Sequence, residues 1–148
     1  MNIRKFLERR GEEAATVRPS DSAHDAAVFL AERKVGAAVV SGDDGQVIGI
    51  ISERDIVRAY AAHESSLAEQ TVESLMTSDV VTCSPETDIG DVVRLMDAHH
   101  IRHVPIVDGT SLVGIVSIRD IVTRRLVALE TDVEVLRNQL LEQPSAPH

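Results

Sequence analysis

The sequence predicts an α/β (α+β) protein made of two tandem β-α-β-β-α repeats followed by a C-terminal helix. Two internal alignments predict this fold class. Thr16-Val17-Arg18-Pro19 aligns with Thr82-Cys83-Ser84-Pro85, and further along the chain Gly49–Val57 aligns with Gly114–Val122. Both copies keep their apolar residues at matching positions, with the spacing of one buried helix face between the two alignments. A match that keeps its apolar phase over this length indicates a duplicated structural unit.

Each unit is predicted to contain the same elements in the same order. An extended Thr-x-x-Pro stretch leads into a helix, capped by Ser20 or Asp21 in the first copy and by the acidic stretch 86–88 in the second. These helices end near Lys34 and His100. Two strands joined by a polar turn follow, and then a second helix beginning at Ser-x-x-Asp. The predicted strands are 37–41 and 47–51 in the first copy, and 103–107 and 112–116 in the second.

The domain organisation follows from the repeat. Ile3, Phe6 and Leu7 match Val72, Leu75 and Met76 in spacing, so a short leader is expected before each unit. Copy one has three extra residues after its leader, at 11–13. The predicted segments are repeat one with its leader at 1–62, a linker at 63–70, repeat two at 71–125, an amphipathic helix at 126–143, and a disordered tail at 144–148.

Composition excludes several functional classes. The 148 residues carry a net charge of −9 and only 2% aromatic residues, which disfavours both non-specific nucleic-acid binding and base stacking. No apolar run approaches the roughly 20 residues of a membrane span. The single cysteine, Cys83, fits a reducing cytoplasmic location. Dinucleotide-binding, P-loop, zinc-protease and serine-hydrolase motifs are all missing from the sequence, so no enzymatic activity is expected.

The chain resembles a tandem pair of CBS (cystathionine-β-synthase) domains, often called a Bateman module. It is especially similar to stand-alone bacterial two-CBS proteins of signal transduction. The resemblance covers residues 1–125 and is carried by Gly49–Asp55 and Gly114–Asp120, which share the pattern Gly-h-h-Ser-x-x-Asp (h, apolar), and by Ile101–Asp108. It implies a pseudo-two-fold pair of repeats with two clefts that bind AMP, ADP, ATP, S-adenosylmethionine or NAD. Copy one departs from the pattern, since Val39 stands where the family usually has proline.

Asp55 and Asp120 are the principal binding candidates. Each follows a strand and lies in the first turn of a helix, where a carboxylate can accept hydrogen bonds from both hydroxyls of a ribose. Ser52 and Ser117 stand three residues earlier, at the N-cap position. The alternative interpretation is plain helix capping, with serine as the cap and an acid in the first turn.

Basic residues are the candidates for phosphate binding. Arg102 and His103 open a strand, and in the family basic residues at this place contact phosphates. Copy one has Gly36 and Ala37 there, which offer only backbone atoms. We therefore expect two unequal clefts, with the more phosphorylated end of the ligand in the cleft that uses Arg102 and His103. The other nucleotide-binding candidates are Thr16, Arg18, Ala38, Arg54, Thr82, Ser84, Val104, Pro105 and Arg119.

Some of these residues have an alternative interpretation. Arg54 and Arg119 fit a solvated surface equally well, Thr16 and Thr82 suit a strand, and the apolar candidates are equally good core residues. No metal site is expected. His99 and His103 are four residues apart, but the helix is predicted to end between them, so the two side chains do not share a face.

The C-terminal helix carries an apolar seam that steps by four and three residues. This heptad spacing predicts a homodimer, although folding back onto the chain's own domain is an alternative. Taken together, the sequence predicts a cytoplasmic sensor that binds an adenine nucleotide and signals to an unidentified protein in trans. A structural dimerisation module with empty clefts is a second hypothesis, and a cryptic nucleotide hydrolase or enzyme subunit is a third. The seam residues are Val122, Leu126, Leu129, Val133, Leu136 and Leu140.

Overall fold

The computed structural model of the protein describes residues 1–10, 14–62 and 66–142. The three extra residues at 11–13, part of the predicted linker and the predicted tail 144–148 lie outside these ranges. Within the described ranges, no helix combines the length and the apolar character that crossing a membrane requires.

The chain contains six helices and five strands in the described ranges. The first repeat has a three-stranded sheet in the order β1-β2-β3, with β1 parallel to β2, and the second has the antiparallel pair β4-β5. The predicted hairpins are confirmed, with strand ends that move by a single residue. The elements are α1 (Ile3–Arg10), β1 (Thr16–Val17), α2 (Ala23–Arg33), β2 (Ala37–Ser41), β3 (Val47–Ser52), α3 (Glu53–Ala62), α4 (Val72–Leu75), α5 (Ile89–His99), β4 (His103–Asp108), β5 (Ser111–Ser117) and α6 (Ile118–Glu142).

The first strand of the second repeat is shorter than predicted. Cys83 forms only a single parallel bridge with Ile106, where the first repeat has β1. In the first repeat the Val39 N–H donates to the Ala15 carbonyl at 2.9 Å. The aligned residue in the second repeat is Pro105, which has no N–H to donate, so the ladder loses the bond that would extend it.

The ends of the long helices follow the predicted chemistry with one correction. The N-cap of α2 is Ser22, whose hydroxyl accepts from the Asp25 N–H at 3.0 Å, so the prediction of Ser20 or Asp21 was wrong. The Asp21 carboxylate instead accepts from the Arg18 N–H at 2.9 Å and shapes the preceding turn. The cap of α5 is Asp88, within the predicted acidic stretch.

Both helices end as predicted, at Lys34 and His100. These two residues adopt the left-handed conformation, with φ of 56° and 54°, and their N–H groups satisfy carbonyls of the last turn.

The leaders exchange places between the repeats. Ile3 and Phe6 of α1 lie in the core of the second repeat, whereas Val72 of α4 lies in the core of the first. The backbone bonds repeat this exchange: the Ile3 N–H donates to the Thr87 carbonyl at 3.0 Å, and the Val72 N–H donates to the Asp21 carbonyl at 2.8 Å. Each repeat is therefore completed by the leader that precedes the other one.

The motif glycines allow this exchange. A Cβ on Gly49 would collide with the Met76 thioether and lie 3.1 Å from the Thr77 carbonyl oxygen. A Cβ on the aligned Gly114 would lie 2.9 Å from Cδ2 of Leu7. The glycine of each Gly-h-h-Ser stretch thus lies where a leader approaches the strand closely, and the approach is tighter at Gly49 than at Gly114.

Candidate functional site

The two Ser-x-x-Asp turns lie at the ends of the hairpins that are remote from the hairpin turns. In the sheets, Ser52 pairs with Ala37 and Ser117 pairs with His103. Behind these ends, side chains of both repeats form a shared apolar cluster built on Ala37, Val39 and Ile115. The sheets of the two repeats are therefore packed together beside the turns.

The first turn is a reciprocal helix cap. The Ser52 hydroxyl accepts from the Asp55 N–H at 3.3 Å, and Asp55 Oδ2 accepts from the Ser52 N–H at 2.9 Å and from its hydroxyl at 3.0 Å. This is the capping-box arrangement with an aspartate at the third helical position. Asp55 is half-buried. Capping occupies its Oδ2.

The second turn has the same cap. The Ser117 hydroxyl accepts from the Asp120 N–H at 3.0 Å, and Asp120 is half-buried like Asp55. The capping interpretation is therefore confirmed in both copies. Capping and ribose binding are compatible, because a carboxylate offers about four lone-pair sites.

At the junction between the repeats, the side chains of Glu53 and His103 both approach the backbone of Gly36. A Cβ built on Gly36 would lie 3.2 Å from Oε1 of Glu53 and 3.3 Å from Cε1 and Nε2 of His103. The imidazole of His103 thus reaches across from the second repeat to the first, and the Glu53 carboxylate approaches the same point. A side chain at position 36 would contact both groups closely, and they would have to shift to accommodate it.

Sequence reasoning missed Glu53. It is the second residue of Ser-x-x-Asp in copy one, where copy two has Ile118, and it is not among the predicted site residues. The sequence did contain a signal for it, because the aligned positions carry an acid in one copy and an isoleucine in the other. The backbone places the two residues alike, since the Glu53 N–H donates to the Gly36 carbonyl and the Ile118 N–H to the Arg102 carbonyl, both at 2.9 Å.

The predicted phosphate-binding arginines are solvent-accessible. Arg102, Arg54 and Arg119 are all exposed, and the half-buried His103 points at Gly36. Arg102 directly precedes β4, whose first residue, His103, pairs with Ser117 of β5. The arginine therefore lies near the second turn in the fold, with its side chain exposed to solvent.

Four apolar candidates lie in the cores. Ala38 and Val104 are completely buried inside the first and second repeats, and Pro105 is buried as well. Ala37 belongs to the cluster between the repeats. Their side chains are therefore occupied by packing, and a ligand at the ends of these strands would meet only their backbone atoms.

An open cleft of about 580 Å³ lies at the opposite end of the first hairpin from Ser52. Thr16 is the one predicted binding residue that lines it, together with Ser41 and Asp44 of the first repeat and Thr110 and Ser111 of the second. Neither Asp55 nor Asp120 belongs to its lining. The other predicted residues of the extended segments, Arg18, Thr82 and Ser84, are exposed, and the Ser84 and Thr87 hydroxyls are 3.2 Å apart.

Charged contacts secure α1 to the second repeat. Arg4 Nη2 lies 2.6 Å from Glu86 Oε1 and 3.5 Å from Asp108 Oδ2. The hydrogen bond from Arg4 lowers the pKa of the Glu86 carboxyl below its ordinary value. A backbone hydrogen bond from Gly90, with a smaller contribution from the chain's N-terminal amine, lowers the pKa of Asp88.

The described part of the chain contains neither a metal centre nor a reactive thiol. Across residues 1–10, 14–62 and 66–142, no three histidine, cysteine, aspartate or glutamate side chains cluster as metal ligands would. Burial raises the pKa of the Cys83 thiol, which disfavours the nucleophilic thiolate.

Comparison with known proteins decides the family. The family model described as CBS domain matches residues 11–62 and 72–126. The chain belongs to the CBS domain family. Its two CBS domains coincide with the two repeats. The leader helix α1 lies before the first matched range, and the leader helix α4 opens the second.

Solved CBS structures share the fold. The CBS-domain containing protein ATU1752 from Agrobacterium tumefaciens is 37% identical with a TM-score of 0.79, over 84% of this chain and 99% of that one. The CBS domain protein PAE2072 from Pyrobaculum aerophilum, solved as a complex with AMP, is 26% identical with a TM-score of 0.77, over 90% and 99% of the two chains.

The CBS domain pair of protein MJ0100, solved with 5-methylthioadenosine and S-adenosyl-L-methionine, is 27% identical with a TM-score of 0.75, over 88% and 98%. Some curated relatives are longer proteins. The chain is 37% identical to a 33.4 kDa protein of Thermofilum pendens over 64% of its own length and spans only 31% of that protein.

Proposed function

We propose that this protein is a regulatory module that binds an adenine nucleotide between its two CBS domains and signals to a partner in trans. The observation that carries the proposal is the pair of half-buried aspartates at aligned strand-to-helix turns, Asp55 and Asp120. Similar CBS pairs bound to AMP and to two other adenosine compounds support it.

In the proposed complex each aspartate keeps its capping role and uses its remaining lone pairs for the ribose hydroxyls. A carboxylate that already accepts from the Ser52 N–H and hydroxyl is held in one rotamer, so binding a ribose requires little further loss of side-chain entropy. The backbone near the starts of β2 and β4 would contact the base, since the side chains of Ala37, Ala38 and Val104 are buried.

The two clefts are proposed to differ in charge. Around the Gly36 position the Glu53 carboxylate would repel a phosphate, and His103 would attract one only when protonated. At the aligned position in the second repeat, Arg102 stands beside Ile118, which carries no charge. We therefore propose that the phosphate of AMP, ATP or NAD lies beside Arg102.

A ligand shared by two domains changes their relative packing only if it binds one arrangement better than another. The shared cluster of Ala37, Val39 and Ile115 is small, so a bound nucleotide would add substantially to the contact between repeats. We propose that a homodimer of such modules presents this change to an unidentified client protein.

Thermal-shift measurements against AMP, ATP and NAD test the proposal. A nucleotide that binds only the native protein at a hundredfold excess over its Kd adds about 2.7 kcal/mol to stability and raises Tm measurably. Inorganic phosphate and ribose 5-phosphate are the controls, since they lack the base. If none of the three nucleotides raises Tm beyond the controls, a structural module with empty clefts is the better description. Release of ADP from ATP during incubation would instead favour a hydrolase.

A further inference from the structure

The last helix, α6, divides into a packed part and an uncovered part. Ile118 and Ile121 pack in the core of the second repeat, and Arg124 places its guanidinium 4.7 Å from the centre of the Phe6 ring. Beyond Arg124, every residue from 125 to 142 is exposed. At about 1.5 Å per residue, this uncovered part projects roughly 27 Å from the repeat.

The uncovered part is apolar along one line. Apart from Val127, Val135 and Leu141, the large apolar side chains from Val122 onward recur at alternating steps of four and three residues, which is the spacing of a heptad with apolar a and d positions. Each is about half exposed or more, between 47% and 69%. A surface of this kind left in water is costly, and helices held only by their own hydrogen bonds are marginal. The a positions are Leu126, Val133 and Leu140, and the d positions are Val122, Leu129 and Leu136.

We infer that α6 pairs with the same helix of a second copy of this chain as a parallel, in-register, two-stranded coiled coil. The inference specifies the homodimer of the proposed function, but it does not depend on nucleotide binding. The occupant and the orientation both follow from the charges that flank the line of apolar residues.

In a parallel pair, a residue at g faces the residue at e five positions later in the partner. Arg125 at g would then face Glu130 of the partner subunit. One heptad later, Asp132 at g would face Arg137 of the partner subunit. Both contacts join opposite charges, and the two-fold symmetry makes each of them twice.

An antiparallel pair with the same overlap of apolar residues would be repulsive. Glu130 would face Glu130 of the partner subunit, and Asp132 would face Asp132 of the partner subunit, because g then faces g and e faces e. Like charges in contact disfavour that orientation, so the sequence selects the parallel one by attraction and by repulsion together.

The short length of the coil is compensated by its attachment. A coil of fewer than three heptads is marginal as a free peptide because the first helical turn is costly to form. Here Ile121, 2% exposed in the core of the second repeat, already fixes that turn. The folded domain therefore nucleates the helix, and dimerisation extends a structure that exists.

The apolar line is tested by a matched pair of lysine variants in the full chain. Leu129 and Val127 are two residues apart on α6 and are equally exposed, at 58% each, but only Leu129 occupies a d position. Light scattering during size exclusion should give a monomer for Leu129→Lys and an unchanged dimer for Val127→Lys. A monomeric wild type, a dimer that survives Leu129→Lys, or equal loss in both variants would overturn the inference.

The orientation is tested by charge reversal. Asp132→Arg creates two Arg–Arg contacts in the parallel dimer and should weaken its dissociation constant by about three- to tenfold at low salt. Asp132→Arg combined with Arg137→Asp should restore it, since each contact again joins opposite charges. The antiparallel pair predicts little change for Asp132→Arg, because one like-charge contact replaces another, and that result would contradict the parallel orientation.

Folding is controlled in each case by circular dichroism and by thermal unfolding of the variant. If Leu129→Lys proves unfolded, the charge variants decide the question, because they alter only exposed positions. Nucleotide-induced changes in Tm, measured on the monomeric variant, separate the two proposals. Nucleotide binding without dimerisation would support the proposed function alone. Dimerisation without nucleotide binding would support the coiled coil alone.

Discussion

The two repeats share a backbone and differ in the charges they place beside it. At aligned positions the first repeat has Gly36 and Glu53, and the second has Arg102 and Ile118, although both pairs are joined by the same 2.9 Å backbone hydrogen bond. The two repeats therefore share the backbone conformation of this turn but differ in the charges of the side chains that it carries. The comparison shows that two repeats with the same backbone hydrogen bond can carry different charges at aligned positions.

The largest difference between the repeats is expected in how much each exchanged leader contributes to stability. Phe6 is 1% exposed in the core of the second repeat, whereas the aligned Leu75 is half-buried against the first. Phe6→Ala should cost about 3–5 kcal/mol of the free energy of unfolding, and Leu75→Ala about 1–2 kcal/mol. Urea denaturation followed by circular dichroism measures both. Equal costs would show that the leaders contribute alike.

The motif glycines should show a smaller difference of the same kind. Gly49→Ala pushes a methyl group against the Met76 thioether and the Thr77 backbone, which cannot easily shift, and should cost about 1–3 kcal/mol. Gly114→Ala meets only the flexible end of Leu7 and should cost less. Thermal unfolding of the two variants compares them. A larger loss at Gly114 would mean that the leader contacts are not as described.

The charge difference between the clefts should appear in affinity. Arg102→Ala should weaken AMP binding by about tenfold, because a charge-assisted contact to phosphate is lost. Glu53→Gln should strengthen it by about two- to threefold, as a repulsive charge is removed at the other side. Isothermal titration measures both. Arg94→Ala is the control, since Arg94 pairs with Asp91 on α5 at 2.5 Å. Unchanged affinity for Arg102→Ala would contradict the assignment.

Acid should loosen one leader before the other. The pKa of Glu86 is lowered by its hydrogen bond from Arg4, so this contact stabilises the folded protein fully above the ordinary carboxyl pKa of 4.5. That contribution is lost as pH falls through the lowered value. At the positions aligned with Arg4 and Glu86, α4 has Glu73 and the first repeat has Ser20, which cannot form the same ion pair. Hydrogen exchange at pH 5 and pH 3, corrected for intrinsic rates, should show a small selective loss of protection in α1.

Sequence alone predicted the elements well, because the repeat provides two independent readings of one pattern. Apolar phase identified the hairpins, and their ends moved by a single residue. The shortened first strand near Cys83 could also have been foreseen, since Pro105 visibly lacks the N–H that Val39 donates. The cap at Ser22 was missed because three consecutive polar residues all suit an N-cap, and only the path of the chain selects one.

The contacts between the repeats could not be predicted from the sequence. The spacing of Ile3 and Phe6 fits either core, so nothing local reveals that α1 completes the second repeat. The approach of Glu53 to Gly36 and His103 depends on how the two sheets are placed against each other, which no single repeat encodes. The binding roles of Asp55, Asp120 and Arg102 remain predictions that rest on the motif and on similar proteins.

The central claim is that the capping aspartates also bind a ribose, and conservative substitution tests it most directly. Asp55→Glu with Asp120→Glu keeps a capping-box residue at both turns, so the free energy of unfolding should stay close to that of the wild type. The carboxylates move by one methylene, so isothermal titration should show AMP affinity reduced by about tenfold or more. Wild-type affinity in this stable double variant would contradict the account.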